Sequence, residues 1–424
     1  MNRRLAYALG WLTCFSSSML QAQSNRIDQI GEDAPELAAF GSHAVGVQTV
    51  QFVTPNSVDV VNTTRGGETA YYDRQLFLEI WYPAALADDQ SPGTVYETLT
   101  RDPRIVANLN GRAVRDAAPD ANGPYPLLVL SHGYPGNRYL LSHIGENLAS
   151  KGYVVVSIDH AESTYRDQAP ITSTFFHRPL DQRLTIATIA TTASQSGNFL
   201  NGLVDVERTG VVGFSMGGYG LINNLGAGFN PAAVSSFMAP PNELLQAHAS
   251  DNPAYREQLD SRIVTGIAIA PWGKQLNFWE PDDLLGIERP MLVVAGDQDE
   301  VAGYEDGPRA IWANALNSDR YMLTFKNGSH SVAAPIPAPE ELQGNEAAGH
   351  YTDANWDGVA MNNILDHFVT AWFDHHLKGK DTLGYFDVVA DADQAPADNY
   401  WPGFAPGTAA GLVLEHLSAG ETLD

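Results

Sequence analysis

The sequence predicts an α/β fold with a mostly parallel central sheet, an antiparallel strand pair at its N-terminal end and helices on both faces. Three observations carry this expectation. Short continuous apolar runs such as "YPLLVLS" and "YVVVSID" read as strands buried on both faces, as parallel strands covered by helices are. These runs alternate with stretches of helical spacing such as "LLSHIGENLASKG". Several runs end in turns, and ligands of open α/β sheets bind beyond the carboxyl ends of the strands.

The elements follow in order. "HAVGVQTVQFV" (43–53) and "RQLFLEIWYPA" (74–84) show alternating apolar residues on either side of a Gly- and Thr-containing stretch at 62–67, which predicts two antiparallel strands. Before them, 24–42 is polar with little periodicity, so a loose leader is expected. The stretch from Asp88 to Gly123 is polar and receives no element. "YPLLVLSHGY", "LLSHIGENLASKG" and "YVVVSIDH" then make one strand, helix, strand crossover. Further strands are predicted at "RTGVVGF" (208–214), "IVTGIAIA" (263–270), "PMLVVAG" (290–296) and "RYMLTF" (320–325). Helices are predicted from Met216 to about Leu225, at "GPRAIWANAL" (307–316) and at "NNILDHFVTAWFDHHL" (362–377). No internal repeat is present.

With 424 residues, 44% hydrophobic and 17% charged, the chain can bury a sizeable core. It opens with Arg3 and Arg4, an apolar stretch from Leu5 to Leu20 and a small residue, Ala22, which predicts a secretory signal peptide over 1–22 and a secreted or periplasmic protein. Ser16, Ser17 and Ser18 interrupt that stretch, which falls short of the roughly 20 residues of a spanning helix, so no stable membrane insertion is expected. Cys14, the only cysteine, would leave with the signal, so neither a disulfide nor a thiol nucleophile is expected. Acidic side chains outnumber basic ones 50 to 24, which argues against nucleic acid as a partner. The expected organisation is a catalytic domain over 23–380, with lid-like insertions at about 171–201 and 230–262. A Pro- and Gly-rich extension at 381–424, ending in "LVLEHL", is expected to pack on it.

Four strand ends carry suggestive chemistry. "GFSMG" puts Ser215 on a strand-to-helix turn, where small neighbours permit a strained backbone that raises the hydroxyl at a helix N-terminus. The same five residues are also compatible with an ordinary glycine turn, so the partners matter. A serine hydroxyl needs a base, and "KNGSHSV" supplies His330 after the last strong strand. An acid must hold the imidazole, and "VVAGDQDEVAG" supplies several after the preceding strand. "LSHGYPGN" ends an earlier strand, where a backbone N–H would meet a developing oxyanion together with the N–H that follows the serine.

On these residues the chain resembles the α/β-hydrolase superfamily, in the dienelactone-hydrolase-like serine esterase branch that includes platelet-activating-factor acetylhydrolase-like and polyester-hydrolase-like enzymes. The resemblance runs from about Ala44 to Gly379 through "VGVQTV", "EIWYPA", "LSHGYPGNR", "LASKGYVVVSIDHAEST", "HRPLDQR", "DVERTGVVGFSMGGYG", "IAPWG", "AGDQDEVA" and "GSHSV". It implies Ser215 as nucleophile, His330 as general base and then acid, and Asp299 as the orienting acid. It also implies Tyr134 and Met216 as backbone oxyanion donors, with the Tyr134 ring and Trp272 as walls of the substrate site. The long stretches after "SIDHAEST" and from Asn230 to Leu276 depart from the pattern, and extra helices over the cleft are the expected result.

Other residues have plainer readings. Asp297 competes with Asp299 but reads as a turn residue, and the acids around them lack the spacing of a calcium loop. His132 reads as a structural partner of the oxyanion loop, and Asp159 and His160 as supports of the cleft or loop caps. Arg178, Asp181 and Arg183 read as a local ion-pair network. His350, His367, His375 and His376 match no metal motif and read as structural or surface residues. Phe278 is either cleft wall or core. The resulting expectation is a secreted serine hydrolase of short- to medium-chain carboxylic esters, with no cofactor, no metal and no protein partner. A polyester or phospholipid acyl hydrolase with the same triad is the alternative, and a non-catalytic binding protein on a hydrolase fold is the rival from another class. The substrate is a small-molecule or polymeric ester.

Overall fold

Alternation in the opening segment produces two long strands, β1 (Ala44–Asp59) and β2 (Ala70–Ala85), paired antiparallel with a register shift between Thr54 and Ser57. The computed structural model describes residues 24–236, 238–387, 390–394 and 401–423, so the expected signal peptide at 1–22 lies outside the described residues. The polar stretch 88–123 is not without structure. It holds a separate hairpin, β3 (Val95–Leu99) and β4 (Val106–Asn110), followed by β5 (Val114–Arg115) and β6 (Ala118–Pro119), which dock on β1 and β2. The hairpin was hidden because its strands are short and bury only one face, through Tyr96, Ala107 and Leu109, while Val95 and Val106 on the other are exposed.

The continuous apolar runs become β7 (Tyr125–Ser131), β8 (Val154–Asp159), β9 (Val204–Phe214), β10 (Ile263–Ile269), β11 (Met291–Gly296) and β12 (Arg320–Phe325). They run parallel in the order β8, β7, β9, β10, β11, β12, with β2 antiparallel against β8. At the other edge β13 (Leu412–Leu417) lies antiparallel on β12, so the end of the C-terminal extension is an edge strand of the same sheet. The chain leaves β7 for β8 on one side and then crosses to β9 on the other. The carboxyl ends of β7 and β9 therefore flank a topological switch point, where a crevice opens in such sheets.

Successive side chains along these strands feed two cores. Leu128, Leu130, Val212 and Phe214 face α1 (Ser142–Ser150) and, later in the chain, the long C-terminal helix Gly358–Lys378. Leu127, Val129 and Val211 face α2 (Ile171–Ala193) and α3 (Met216–Leu225). The short α4 (Pro231–Val234), α5 (Pro253–Glu257) and α6 (Ala310–Asn314) precede α7, as that C-terminal helix is named here.

Three expectations need correction. Residues 24–42 are not a loose leader: Ile27 and Ala38 are buried, and the Gly31 and Leu37 amides donate to Asn363 and His367 of α7 at 2.8 and 3.2 Å. The stretch 171–201 is not a lid, because α2 is the crossover between β8 and β9 and buries Phe175, Phe176, Ile186 and Ile189. Its polar sequence is misleading, since Pro179 removes one intrahelical donor and the freed Phe175 carbonyl accepts instead from Tyr219 Oη of α3 at 2.9 Å. The stretch 230–262 lies beside the turn after β1, with Asn242 Oδ1 accepting from the Gly66 amide at 2.8 Å, and none of its described residues lines the cleft described below.

Burial of neutral imidazoles sets an acid limit on this fold. Burial is the main cause pushing His160, His177 and His367 down to about 3, His248 down to about 4, and His132 well below the ordinary value. The unfolded chain takes up protons near pH 6.5 while the folded chain does not, so folded stability is complete above that pH and falls as pH drops toward these lower values. The urea midpoint is expected to decline already between about pH 6.5 and 5, ahead of carboxylate protonation. A flat midpoint over that interval would contradict the buried, neutral state of these rings.

Candidate active site

The turn after β9 places Ser215 as the residue before α3, with φ 52° and ψ −112°, a backbone state that side-chain-bearing residues avoid. Tight neighbours hold it there. A Cβ on Gly213 would lie 2.3 Å from the Gly217 carbonyl oxygen, and one on Gly217 would lie 1.9 Å from the Ser131 carbonyl oxygen, so only glycine fits either place. The Ser215 amide donates to the Ile269 carbonyl at 2.8 Å, and its carbonyl accepts from the Tyr219 amide at 2.9 Å. The result is a sharp strand-to-helix turn with the hydroxyl at the helix start.

His330 sits in the loop after β12, and its Nε2 is 2.9 Å from Ser215 Oγ. Its Nδ1 faces both Asp299 oxygens, at 3.0 and 2.9 Å. Asp299, buried in the loop after β11, is itself fixed, because Oδ1 accepts from the Val301 and Ala302 amides at 2.9 and 2.8 Å. Asp297 turns away and accepts from the Asn327 amide at 2.6 Å. Serine, imidazole and carboxylate thus form one hydrogen-bonded line across three strand ends. Ser215 and His330 open onto a cleft of about 740 Å³, whose lining includes Tyr134, Ile171, Trp272 and His350.

Tyr134 follows the end of β7, on the other side of the switch point, and Met216 opens α3. Neither backbone N–H donates to a protein acceptor among the described residues. The loop carrying Tyr134 is held from beneath by Arg178 of α2, which donates to the His132 carbonyl, to the Gly133 carbonyl at 3.3 Å and to Ser163 Oγ at 2.5 Å. His132 Nδ1 also donates to the Gly133 carbonyl, at 2.7 Å. Trp272 stacks on Phe175 with centroids 5.8 Å apart and an interplanar angle of 19°, while Phe278 is core.

A second hydrogen-bonded line lies below the first. Ser131 Oγ is 2.8 Å from His160 Nε2, and His160 Nδ1 is 2.9 Å from Asp181 Oδ2. Asp181 also receives two bonds from Arg74 of β2, each 2.9 Å, so its ion-pair partner comes from across the fold rather than from the neighbouring arginines. Arg183 instead donates to Asn224 Oδ1 at 3.0 Å. Burial pushes the Asp181 carboxyl up, but the Arg74 charge and the His160 hydrogen bond outweigh it and hold it below the usual carboxylate range. Asp159 accepts from the Arg138 amide at 2.6 Å and pairs with the Arg138 side chain.

The sequence reading assigns no role to Arg101 and a structural or surface one to His350, yet both line the cleft. Arg101 stands at the tip of the β3–β4 hairpin, in the stretch read as featureless, and His350 lies in a long loop after His330. The irregular stretch 346–355, not the segment 230–262, borders the cleft. No group of three or more His, Cys, Asp or Glu side chains among the described residues is placed to hold a metal ion.

This sheet, with the strained serine turn at its switch point, has the α/β-hydrolase fold. The fold is shared with a solved ferulic acid esterase from Streptomyces cinnamoneus, at a TM-score of 0.56 and 21% identity over 82% of this chain and 94% of that one. Parts of the chain are similar to polyester-hydrolase-like proteins. The family described as PETase, PET hydrolase-like, matches residues 115–240, which hold Tyr134 and Ser215 but neither Asp299 nor His330. Cutinase est1 of Thermobifida alba is 32% identical over 213 residues, 50% of this chain and 55% of that protein. Cutinase est2 of the same organism is 33% identical over 104 residues, 24% of this chain and 31% of that protein. The chain thus spans about half, or less, of the length of these curated relatives.

Proposed function

We propose that this chain is a serine hydrolase of carboxylic esters, working through an acyl-enzyme on Ser215. The hydrogen-bonded line from Ser215 through His330 to Asp299, open to the cleft at the switch point, supports this reading most directly. Ser215 Oγ attacks the ester carbonyl as His330 Nε2 takes its proton, and Asp299 holds the Nδ1–H and stabilises the imidazolium. The Met216 and Tyr134 amides meet the oxyanion. His330 then protonates the leaving alcohol, and water, deprotonated by the same imidazole, releases the acid.

Short- to medium-chain acyl esters are the proposed substrates, and export through the leader at 1–22 is part of the same reading. So is the division into a catalytic region over 23–380 and an extension over 381–424. No described helix is long and apolar enough to cross a membrane. The polyester reading gains support from one observation: none of the described residues of 230–262, the segment expected to cover the cleft, lines it. A series of p-nitrophenyl esters of increasing acyl length, an anilide counterpart and a polyester film tests both readings. Activity peaking at short to medium acyl length is expected, and release of soluble products from the film supports the second reading. No hydrolysis of any ester overturns the proposal.

A further inference from the structure

The tip of the β3–β4 hairpin reaches over the loop that carries Tyr134. Asn137 ties the two together by donating to Thr98 Oγ1 at 2.8 Å and to the Leu99 carbonyl at 2.9 Å. At the tip, Asp102 is occupied by Arg104, through bonds of 2.9 and 2.7 Å, and by Asn345 at 3.0 Å. Arg101, next to it, is left to the cleft. Its backbone N–H donates to Tyr351 Oη at 3.0 Å and its Nη1 to the Pro135 carbonyl at 3.2 Å, which fixes its direction. It makes no ion pair with any described carboxylate, in a chain with 50 acidic side chains.

The nearby acids do not neutralise it. Asp353 is turned inward to the Ser329, Asn355 and Trp356 amides, at 2.6, 2.8 and 3.2 Å, while Glu300 and Glu346 are exposed at the rim. His350 lies within the electrostatic reach of both Arg101 and His330, and its Nε2 is shielded from solvent without a partner. Arg101 thus reaches the cleft beside the Tyr134–Pro135 loop, and His350, which faces both Arg101 and His330, joins the cation to the flank that His330 borders. Since His330 protonates the departing alcohol in the proposed reaction, that flank is where the alcohol part of an ester lies.

We propose that Arg101, bordered by His350, forms an anion subsite that selects esters whose alcohol part carries a carboxylate, such as acylated hydroxy acids and the carboxyl-terminal unit of hydroxy-acid oligomers. This rests on the hydrolase reading. A planar guanidinium held over a cleft is suited to two parallel hydrogen bonds with a carboxylate, and an isosteric amide satisfies it poorly. The reaction is unchanged: the ester C–O bond breaks, the acyl group passes to Ser215, and the hydroxy acid leaves with the proton from His330. Water then releases the acyl group as its acid.

The test compares kcat/KM for O-acetyl-4-hydroxybutyrate with its primary amide, and for monomethyl succinate with methyl succinamate, in wild type, Arg101→Gln and Arg101→Lys. Wild type is expected to favour the acetylated hydroxy acid over its amide by about tenfold to a hundredfold, mainly through KM. The preference should collapse toward one in Arg101→Gln and partly survive in Arg101→Lys. Monomethyl succinate, with its carboxylate on the acyl side, should show no such preference. Equal use of acid and amide by wild type, an unchanged preference in Arg101→Gln, or a preference confined to the succinate pair overturns the subsite. If Arg101→Gln does not yield folded protein, the wild-type ratio and Arg101→Lys decide. Hydrolysis of the neutral amides without discrimination leaves the hydrolase reading standing, whereas no hydrolysis of any of the four overturns both.

Discussion

Ser215→Ala is expected to lower kcat/KM for every ester substrate by about 10⁴-fold or more, and to abolish covalent labelling by a fluorophosphonate probe. In the proposed reaction the substitution removes the group that bonds to the acyl carbon, 2.9 Å from the imidazole that would activate it. Residual rate is expected from the proposed oxyanion donors and from binding, which the methyl group does not disturb. KM should change far less than kcat, because the hydroxyl contributes to bond formation rather than to holding substrate. The fold should tolerate the change, since alanine requires the same φ of 52° that serine already adopts. Wild-type activity in the variant would remove Ser215 from the reaction. Retained probe labelling would point to another nucleophile.

Asp181→Ala is expected to cost about 3 to 5 kcal/mol of stability, read as a lower urea midpoint with an unchanged slope. The carboxylate is fully buried and accepts three hydrogen bonds, two from Arg74 and one from His160. Removing it leaves the Arg74 guanidinium without its buried partner, which is far worse than removing both charges together. The double replacement Arg74→Met with Asp181→Leu should therefore recover part of the loss. Because the folded carboxyl is held below the usual range, its contribution is complete above about pH 4 and is lost only as pH falls through that depressed value. A loss below about 1 kcal/mol for the single variant at pH 7 would mean that another acceptor takes over the Arg74 donors.

The parallel sheet was legible because strands buried on both faces leave unbroken apolar runs, as in 125–131 and 291–296. The Ser215, Asp299 and His330 line was legible because each residue ends its own strand, where sequence position and spatial position coincide. Arg101 and His350 were not, since each reaches the cleft from an irregular segment with no periodicity of its own. The α2 helix was misread for a related reason. Its buried face carries Arg178, Asp181 and Gln182, whose partners lie on β2, on α3 and in the loop after β7, so burial could not be inferred from polarity. The leader at 24–42 was misread because its anchors, Asn363 and His367, lie more than 300 residues away.

The lower line of Ser131, His160 and Asp181 reproduces the upper one in residue type, order and spacing, with contacts of 2.8 and 2.9 Å. Yet Ser131 lies at the end of a regular strand and is wholly buried. One chain thus contains the same chemical trio twice, once exposed to a ligand and once sealed. What separates the two serines here is not composition or hydrogen-bond length but a strained turn and an opening onto a cleft. A search of structures by interatomic distance alone would return two candidate serines, and only a requirement for access would reduce them to Ser215.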